Sequence, residues 1–127
     1  MAMIDGVSKL GIARNVKTDT ASTDAAFVNI PANRYIVTDV IAHNALGGSS
    51  ASATVSVRGG AGGTGTSVVA DAALTGHTGA TVVTKRTLAA TATTPVITDD
   101  GLYIRVGTAS GVAGTTCDFD IYGYDLS

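Results

Sequence analysis

The sequence predicts an all-β protein, an antiparallel β-sandwich or jelly roll with about eight strands and an extended N-terminal arm. The chain of 127 residues contains no Glu, Gln or Trp, and all ten acidic residues are Asp. It therefore lacks residues that usually cover exposed helices, whereas Thr, Val, Ser and Gly, which favour strands and turns, are frequent. Turn signals recur at intervals of roughly 8–12 residues, which is typical of a sandwich.

The polar N-terminal segment, residues 1–23, has only a weak hydrophobic pattern. We expect it to be an extended arm or to contain a first short strand at residues 9–16, KLGIARNV. The β-sandwich domain then spans residues 24–127. A chain of this length is expected to form one domain that buries roughly two-thirds of its unfolded surface.

The run from Arg34 to Asn44 follows a turn at Pro31 and Asn33 and is apolar at both alternating sets of positions. Plain alternation places Ile36, Val40 and Ala42 on one face and Tyr35, Val37 and Ile41 on the other. A half-exposed strand has one polar face, so this pattern predicts a strand covered on both sides, with a second copy of the chain on one of them.

The later segments are assigned by the same alternation. Residues 66–76 are ambiguous between a strand and a short helix. In residues 101–108 the pattern places Leu102, Ile104 and Val106 inward. In the last run it places Cys117, Phe119 and Ile121 inward and Asp118, Asp120, Tyr122 and Tyr124 outward. The other predicted strands are residues 26–30, 53–58, 80–90 and 94–98.

Residues 60–65 read G-A-G-G-T-G and match the glycine spacing of dinucleotide-binding proteins. That fingerprint needs a following helix and an acidic residue about 20 positions later. No strong helix pattern follows, and position 80 is Ala. We therefore interpret residues 59–65 as a glycine-rich connection, with Gly60 and Gly62 suited to close approach of another chain, and we expect no cofactor.

No catalytic or metal-ligating pattern emerges from the remaining polar residues, so we expect no enzyme activity. His43 and His77 lack neighbouring ligands at zinc spacing. A calcium site formed by Asp99, Asp100 and the aspartates of the last strand stays open, although a turn and a solvated face explain them as well. Cys117 is interpreted as a core thiol.

The charge and hydropathy patterns limit the partners. A net charge of −2 and the lack of a basic cluster argue against nucleic-acid binding. The one basic pair, Lys85-Arg86, is interpreted as a solvated strand end. No apolar run is long enough to span a membrane, and the start of the chain has no secretion-signal pattern. We therefore expect synthesis in a bacterial cytoplasm and no membrane partner.

Four stretches resemble small virion proteins of tailed bacteriophages, the jelly-roll decoration or cement proteins of the outer capsid surface. They are residues 30–45, 62–69, 88–98 and 118–126. Asn33 stands where similar sequences often have Gly, and residues 1–24 have no clear counterpart. The resemblance implies a structural role in the virion, with the major capsid protein and further copies of this chain as partners.

The expected assembly is a homo-dimer or homo-trimer on the phage head, and three basic residues of the arm are expected to contact an acidic shell. Another phage component (tail, fibre or head fibre) and a ligand-binding sandwich from outside viruses are the alternatives. The candidate interface residues are Lys9, Arg14, Lys17, Tyr35, Val37, Ile41, Gly60 and Gly62.

Overall fold

A computed structural model of the chain describes residues 7–89 and 96–127, which form two four-stranded antiparallel sheets. The strands are β1 (Ser8–Lys17), β2 (Ser22–Asn29), β3 (Tyr35–Leu46), β4 (Thr54–Gly60), β5 (Thr64–Ala73), β6 (Thr84–Lys85), β7 (Gly101–Thr108) and β8 (Thr116–Asp125). A short 3₁₀ turn, Ala61–Gly63, joins β4 to β5. In the described ranges no helix is long and apolar enough to cross a membrane.

The order of the strands is that of a jelly roll. Sheet A runs β1-β8-β3-β6 and sheet B runs β2-β7-β4-β5, so successive strands mostly alternate between the sheets. This arrangement gives the two nested Greek keys of an eight-stranded jelly roll. The predicted all-β sandwich is confirmed.

The core lies between the two sheets and follows the alternation of β7 and β8. Leu102, Ile104 and Val106 of β7 are at most 1% exposed. Cys117, Phe119 and Ile121 of β8 are fully buried. These six inward positions were predicted correctly, because β8 has no extra residue and the register shift of β7 with β4 lies beyond Val106.

The described part of the N-terminal segment is a strand rather than a free arm. β1 pairs with β8 from Ser8 to Lys17, and its side chains Leu10, Ala13 and Val16 are buried in the core. The strand alternative for residues 9–16 is therefore the one that the structure bears out. A segment with core side chains cannot be removed without opening the sandwich.

Strand β3 carries a bulge that corrects the predicted faces. Its register with β8 shifts between Val37 and Asp39, and such an extra residue reverses the alternation beyond it. Consequently Tyr35, Val37, Val40 and Ala42 all lie in the core, at 0–2% exposure. Of the apolar residues between Arg34 and Asn44, only Ile36 and Ile41 remain outside the core, so the inference that a second copy must cover an apolar strand face is weakened.

One segment was left open between strand and helix, and two predicted strands are shorter than expected. Residues 66–76 form most of β5 instead of a helix, because pairing with β4 overrides the helix preference of the alanines. Of the predicted strand 80–90, residue 90 lies outside the described part, and within residues 80–89 only Thr84 and Lys85 form a strand. In 94–98, residues 94 and 95 lie outside the described part, and Ile97 makes an isolated bridge to Tyr35.

A cluster of buried hydroxyl groups ties three loops together at one end of the sandwich. Thr18 lies between Ser50 and Thr115, with oxygen–oxygen distances of 2.8 Å to each, and Ser110 lies 2.7 Å from Thr115. All four residues are at most 7% exposed. The cluster satisfies polar groups that would otherwise be costly to bury.

The glycine-rich connection is a tight β4–β5 hairpin anchored to its own chain. The backbone N–H of Gly62 donates to both carboxylate oxygens of Asp24, at 3.1 and 3.3 Å. Gly62 has a φ of +70°, whereas Gly60 is extended at −127°. The connection is therefore ordered in part by β2 of its own chain, and not by contact with another chain alone.

Replacing Gly62 with alanine is expected to lower the free energy of unfolding by about 1 kcal/mol, because a side chain is strained at positive φ. A Cβ at this position would contact nothing, so the cost is purely that of the backbone. Gly79→Ala is the matched control, because Gly79 also has open space and lies outside the positive-φ range. Urea unfolding that gives equal losses for the two variants would contradict the assignment.

Candidate interaction surface

The outer face of sheet A combines paired charges with apolar side chains. Cross-strand register sets Ile12 of β1, Asp120 of β8, Ile41 of β3 and Lys85 of β6 in one row across the sheet. Side chains of directly opposed residues on one face contact each other. The parallel rows are Lys9–Tyr122–Asp39, Tyr124–Ile36 and Asp118–His43.

Asp118 is the structural centre of this face. Its side chain accepts a hydrogen bond from the Asn15 backbone N–H at 2.8 Å and from the Asn44 amide at 3.0 Å. Arg14 donates to it at 3.4 Å. Although it points away from the core, the residue is only 2% exposed, because the neighbouring strands cover it laterally.

The two asparagines that bind Asp118 mark two bulges. Asn15 and Asn44 have φ values of +55° and +54°, and each lies where its strand inserts one residue opposite β8. Asn tolerates this left-handed conformation better than most residues. Asp118 therefore holds β1 and β3 in their bulged conformations from the strand between them.

The hydrogen bonds to Asp118 also determine its protonation. Burial by itself raises the pKa of this carboxyl group. The Asn15 N–H, the Asn44 amide and the nearby His43 and Arg14 act in the opposite direction and leave the pKa below its usual value. The residue is accordingly a stable carboxylate at neutral pH.

A second acidic side chain, Asp120, lies close to basic side chains of both neighbouring strands. Lys9 Nζ and His43 Nε2 lie 3.4 and 3.2 Å from Asp120 Oδ2. The His43 contact does not have hydrogen-bond geometry. Lys9 also lies 5.6 Å from the ring centre of Tyr122. Because Lys9 is paired in this way, its charge is not free to attract a distant acidic shell.

The apolar part of the face lies between these charges. Ile12 and Tyr124 are 38% and 39% exposed, and Ile36 and Ile41 are half-buried. Exposed apolar side chains bordered by polar groups also occur at protein–protein interfaces. We refer to Lys9, Ile12, Arg14, Ile36, Ile41 and Tyr124 as the sheet A surface.

The structure brings together three of the predicted interface residues, Lys9, Arg14 and Ile41, on the sheet A surface. Lys17 is exposed at the end of β1. Tyr35 and Val37 do not fit an interface, because both are buried in the core, on the side to which the following bulge also turns Val40. The Tyr35 hydroxyl donates to the Asp99 carbonyl at 3.2 Å, and burial, together with Asp99 and Asp100, raises the pKa of Tyr35 to about 12.

The two predicted glycines, Gly60 and Gly62, belong to sheet B, where they form the hairpin beside β2 and β7. Near them, Phe27 is 48% exposed, and its ring centre lies 4.9 Å from that of Tyr103. This pair is the main exposed apolar feature on the opposite side of the sandwich. It provides a natural control surface for experiments on sheet A.

The interpretation of Lys85-Arg86 as a solvated strand end is confirmed for Lys85, which is exposed at the end of β6, and is wrong for Arg86. Lys85 Nζ forms an ion pair with Asp39 at 2.6 Å, which lowers the pKa of Asp39. Arg86 is only 8% exposed. No sequence pattern indicates this burial, because it depends on hydrogen bonds to carbonyl groups of β5.

The remaining candidates for chemistry lie apart. Asp99 and Asp100 are exposed on the loop before β7, near sheet B, whereas Asp118 and Asp120 lie on sheet A. Residues 7–89 and 96–127 contain no group of three metal-ligating side chains. Cys117 is fully buried and donates to the His43 carbonyl at 3.3 Å. Burial and the charge of Asp118 raise its pKa to about 11, consistent with a core thiol.

The fold and surface define an eight-stranded jelly-roll sandwich with a paired-charge and apolar outer face. Comparisons with family models, curated proteins and solved structures find no match to this chain. Its function is therefore argued from the surface itself.

Proposed function

We propose that the chain is a structural virion protein, a decoration or cement protein that binds the outer surface of a tailed-phage head and stabilises it. The observation that carries the proposal is the sheet A surface, where Ile12 and Tyr124 are exposed between side chains fixed by ion pairs. Together with the sequence resemblance, this surface favours protein binding as the role of the chain.

The order of this surface supports a binding role, because a preorganised surface loses little side-chain freedom on association. Asp118 and Asp120 hold Arg14 and Lys9 against the sheet, and Lys85 is held by Asp39. These basic groups are paired with carboxylates of the same chain. Contact with the major capsid protein therefore depends on apolar burial and hydrogen bonds more than on electrostatic attraction between the two proteins. This replaces the expectation of a free basic arm.

Binding to the shell is expected to involve several copies of the chain, as a homo-dimer or homo-trimer. Ile36 and Ile41 on the outer face of β3 are available for such contacts. Light scattering on the purified protein tests this, and a monomer that also stays monomeric on shells would contradict it.

The direct test of the function is to locate the chain in purified particles by mass spectrometry and imaging. We expect it on the outer surface of the head, in many copies. Its presence only in tails or fibres would favour the alternative of another virion component. Its absence from particles would favour a ligand-binding sandwich and contradict the proposal.

A further inference from the structure

A cleft of about 190 Å³ lies where the edge strands of the two sheets approach each other. Its lining includes the C-terminal part of β5 and the segment from Thr84 to Thr87. Arg86 forms part of the wall, and the hydroxyl-bearing residues Thr75, Thr84 and Thr87 surround it. The lining includes Lys85, which borders Ile41 on the outer face of sheet A, but none of the six residues that define the sheet A surface and none of the glycine hairpin.

Arg86 connects the two sheets at this cleft. Its backbone N–H donates to the Val40 carbonyl of sheet A at 2.7 Å. Its guanidinium donates to the carbonyls of Ala72 and Ala73 of sheet B, at 2.8 and 3.2 Å. The side chain therefore closes one open edge of the sandwich.

The charge of this guanidinium is incompletely compensated. No carboxylate of residues 7–89 or 96–127 forms an ion pair with Arg86, and its Nε is buried without a hydrogen-bond partner. Burial lowers the pKa of Arg86, with Cys117 and Asp71 acting in the opposite direction, yet a guanidinium keeps its proton in proteins. A buried cation without a paired anion is costly.

We propose that the cleft binds a small oxyanion next to Arg86. The guanidinium has five N–H donors in a planar fork that matches carboxylate and phosphate oxygens. Two of these groups donate to carbonyls, which leaves others for a ligand. The hydroxyls of Thr75 and Thr87 add donors, whereas the Thr84 hydroxyl lies 2.6 Å from His77 Nε2 and Lys85 is engaged by Asp39. The neighbouring Asp71 receives a hydrogen bond from Thr54 at 3.0 Å.

The size of the cleft restricts the ligand. One water molecule takes up about 30 Å³ in the liquid. A volume of about 190 Å³ therefore admits an ion such as phosphate, sulfate or acetate with a few waters. It is too small to enclose a nucleotide.

The test is an NMR titration of the full chain with phosphate and, separately, with acetate, at an ionic strength held constant with sodium chloride. We expect saturable shift changes confined to residues 72–75 and 84–87. Tighter binding of acetate would identify a carboxylate as the ligand group, and tighter binding of phosphate a free tetrahedral anion. Changes that do not saturate, or that spread over the surface, would overturn the proposal.

Arg86→Lys keeps the charge but loses the planar fork, and we expect its anion affinity to fall at least tenfold. Arg105→Lys is the control, because Arg105 is exposed on β7 away from the cleft, and its affinity should match that of the unchanged protein. If Arg86→Lys fails to fold, the double variant Thr75→Val/Thr87→Val replaces it and should bind several-fold more weakly. Unchanged affinity in the folded cleft variant would refute the site.

Discussion

Replacing Asp118 with alanine is expected to lower the free energy of unfolding by about 3 kcal/mol. The substitution leaves the Asn15 N–H and the Asn44 amide without their acceptor. It also releases two bulges whose asparagines have positive φ. Urea unfolding at neutral pH measures the loss. Asp118→Asn keeps one acceptor oxygen and should lie between the alanine variant and the unchanged protein.

The control for this prediction is Asp125→Ala. Asp125 is exposed, and its pKa is lowered by hydrogen bonds from the neighbouring Ser127 alone. A loss much smaller than that of Asp118→Ala is expected for such a surface position. If the two alanine variants lost the same stability, Asp118 would not hold the bulges.

The same carboxylate makes stability depend on acid pH. Because the pKa of Asp118 is lower in the folded chain than its ordinary value of 3.8, the folded state binds fewer protons than the unfolded state near that pH. The contribution is therefore complete above the ordinary value and disappears as pH falls through the lowered one. Asp19 and Asp39 also have lowered pKa values, so Asp118→Ala should reduce the acid slope without abolishing it.

Deleting residues 1–23 is expected to abolish cooperative folding. The deletion removes β1, which pairs with β8 along its length, and removes the buried side chains of Leu10 and Val16. Burying each of these contributes about 1.5–3 kcal/mol, and the lost strand pairing adds to it. The sum is comparable with the total stability of a small domain, about 5–15 kcal/mol.

The matched variant for this deletion is Lys9→Ala/Lys17→Ala, which keeps β1 and removes two of its exposed basic groups. It should unfold cooperatively, within about 1 kcal/mol of the unchanged protein, because exposed ion pairs contribute little. Circular dichroism during heating measures both variants. A truncated chain with a sharp unfolding transition would show that β1 is dispensable.

The sequence was sufficient to assign the inward-facing residues where strands are regular. β8 alternates without interruption, and the register shift of β7 lies beyond Val106, so the inward residues of both strands could be assigned from the pattern alone. In β3 the bulge after Val37 reverses the alternation. No residue type at this position indicates a bulge in the sequence. Tyr35 and Val37 were consequently assigned to an interface although they lie in the core.

The polar part of the candidate site depended on contacts that a pattern cannot reveal. Asp118 was placed on the outer face correctly, but its burial comes from Asn15 and Asn44 in strands far along the chain. Arg86 is buried because carbonyl groups of β5 accept hydrogen bonds from its guanidinium. The buried hydroxyl of Thr18 resembles any loop threonine in the sequence. Each of these features exists only after the sheets have paired.

The central claim, that the sheet A surface binds the capsid, is tested by co-sedimentation of purified protein with phage heads that lack it. Ile12→Thr/Tyr124→Thr changes the exposed apolar side chains of this surface, and Phe27→Thr changes the corresponding feature of sheet B. All proteins are first checked for equal thermal stability. The account predicts at least tenfold weaker binding for the sheet A variant and unchanged binding for Phe27→Thr, whereas unchanged binding of the sheet A variant would contradict it.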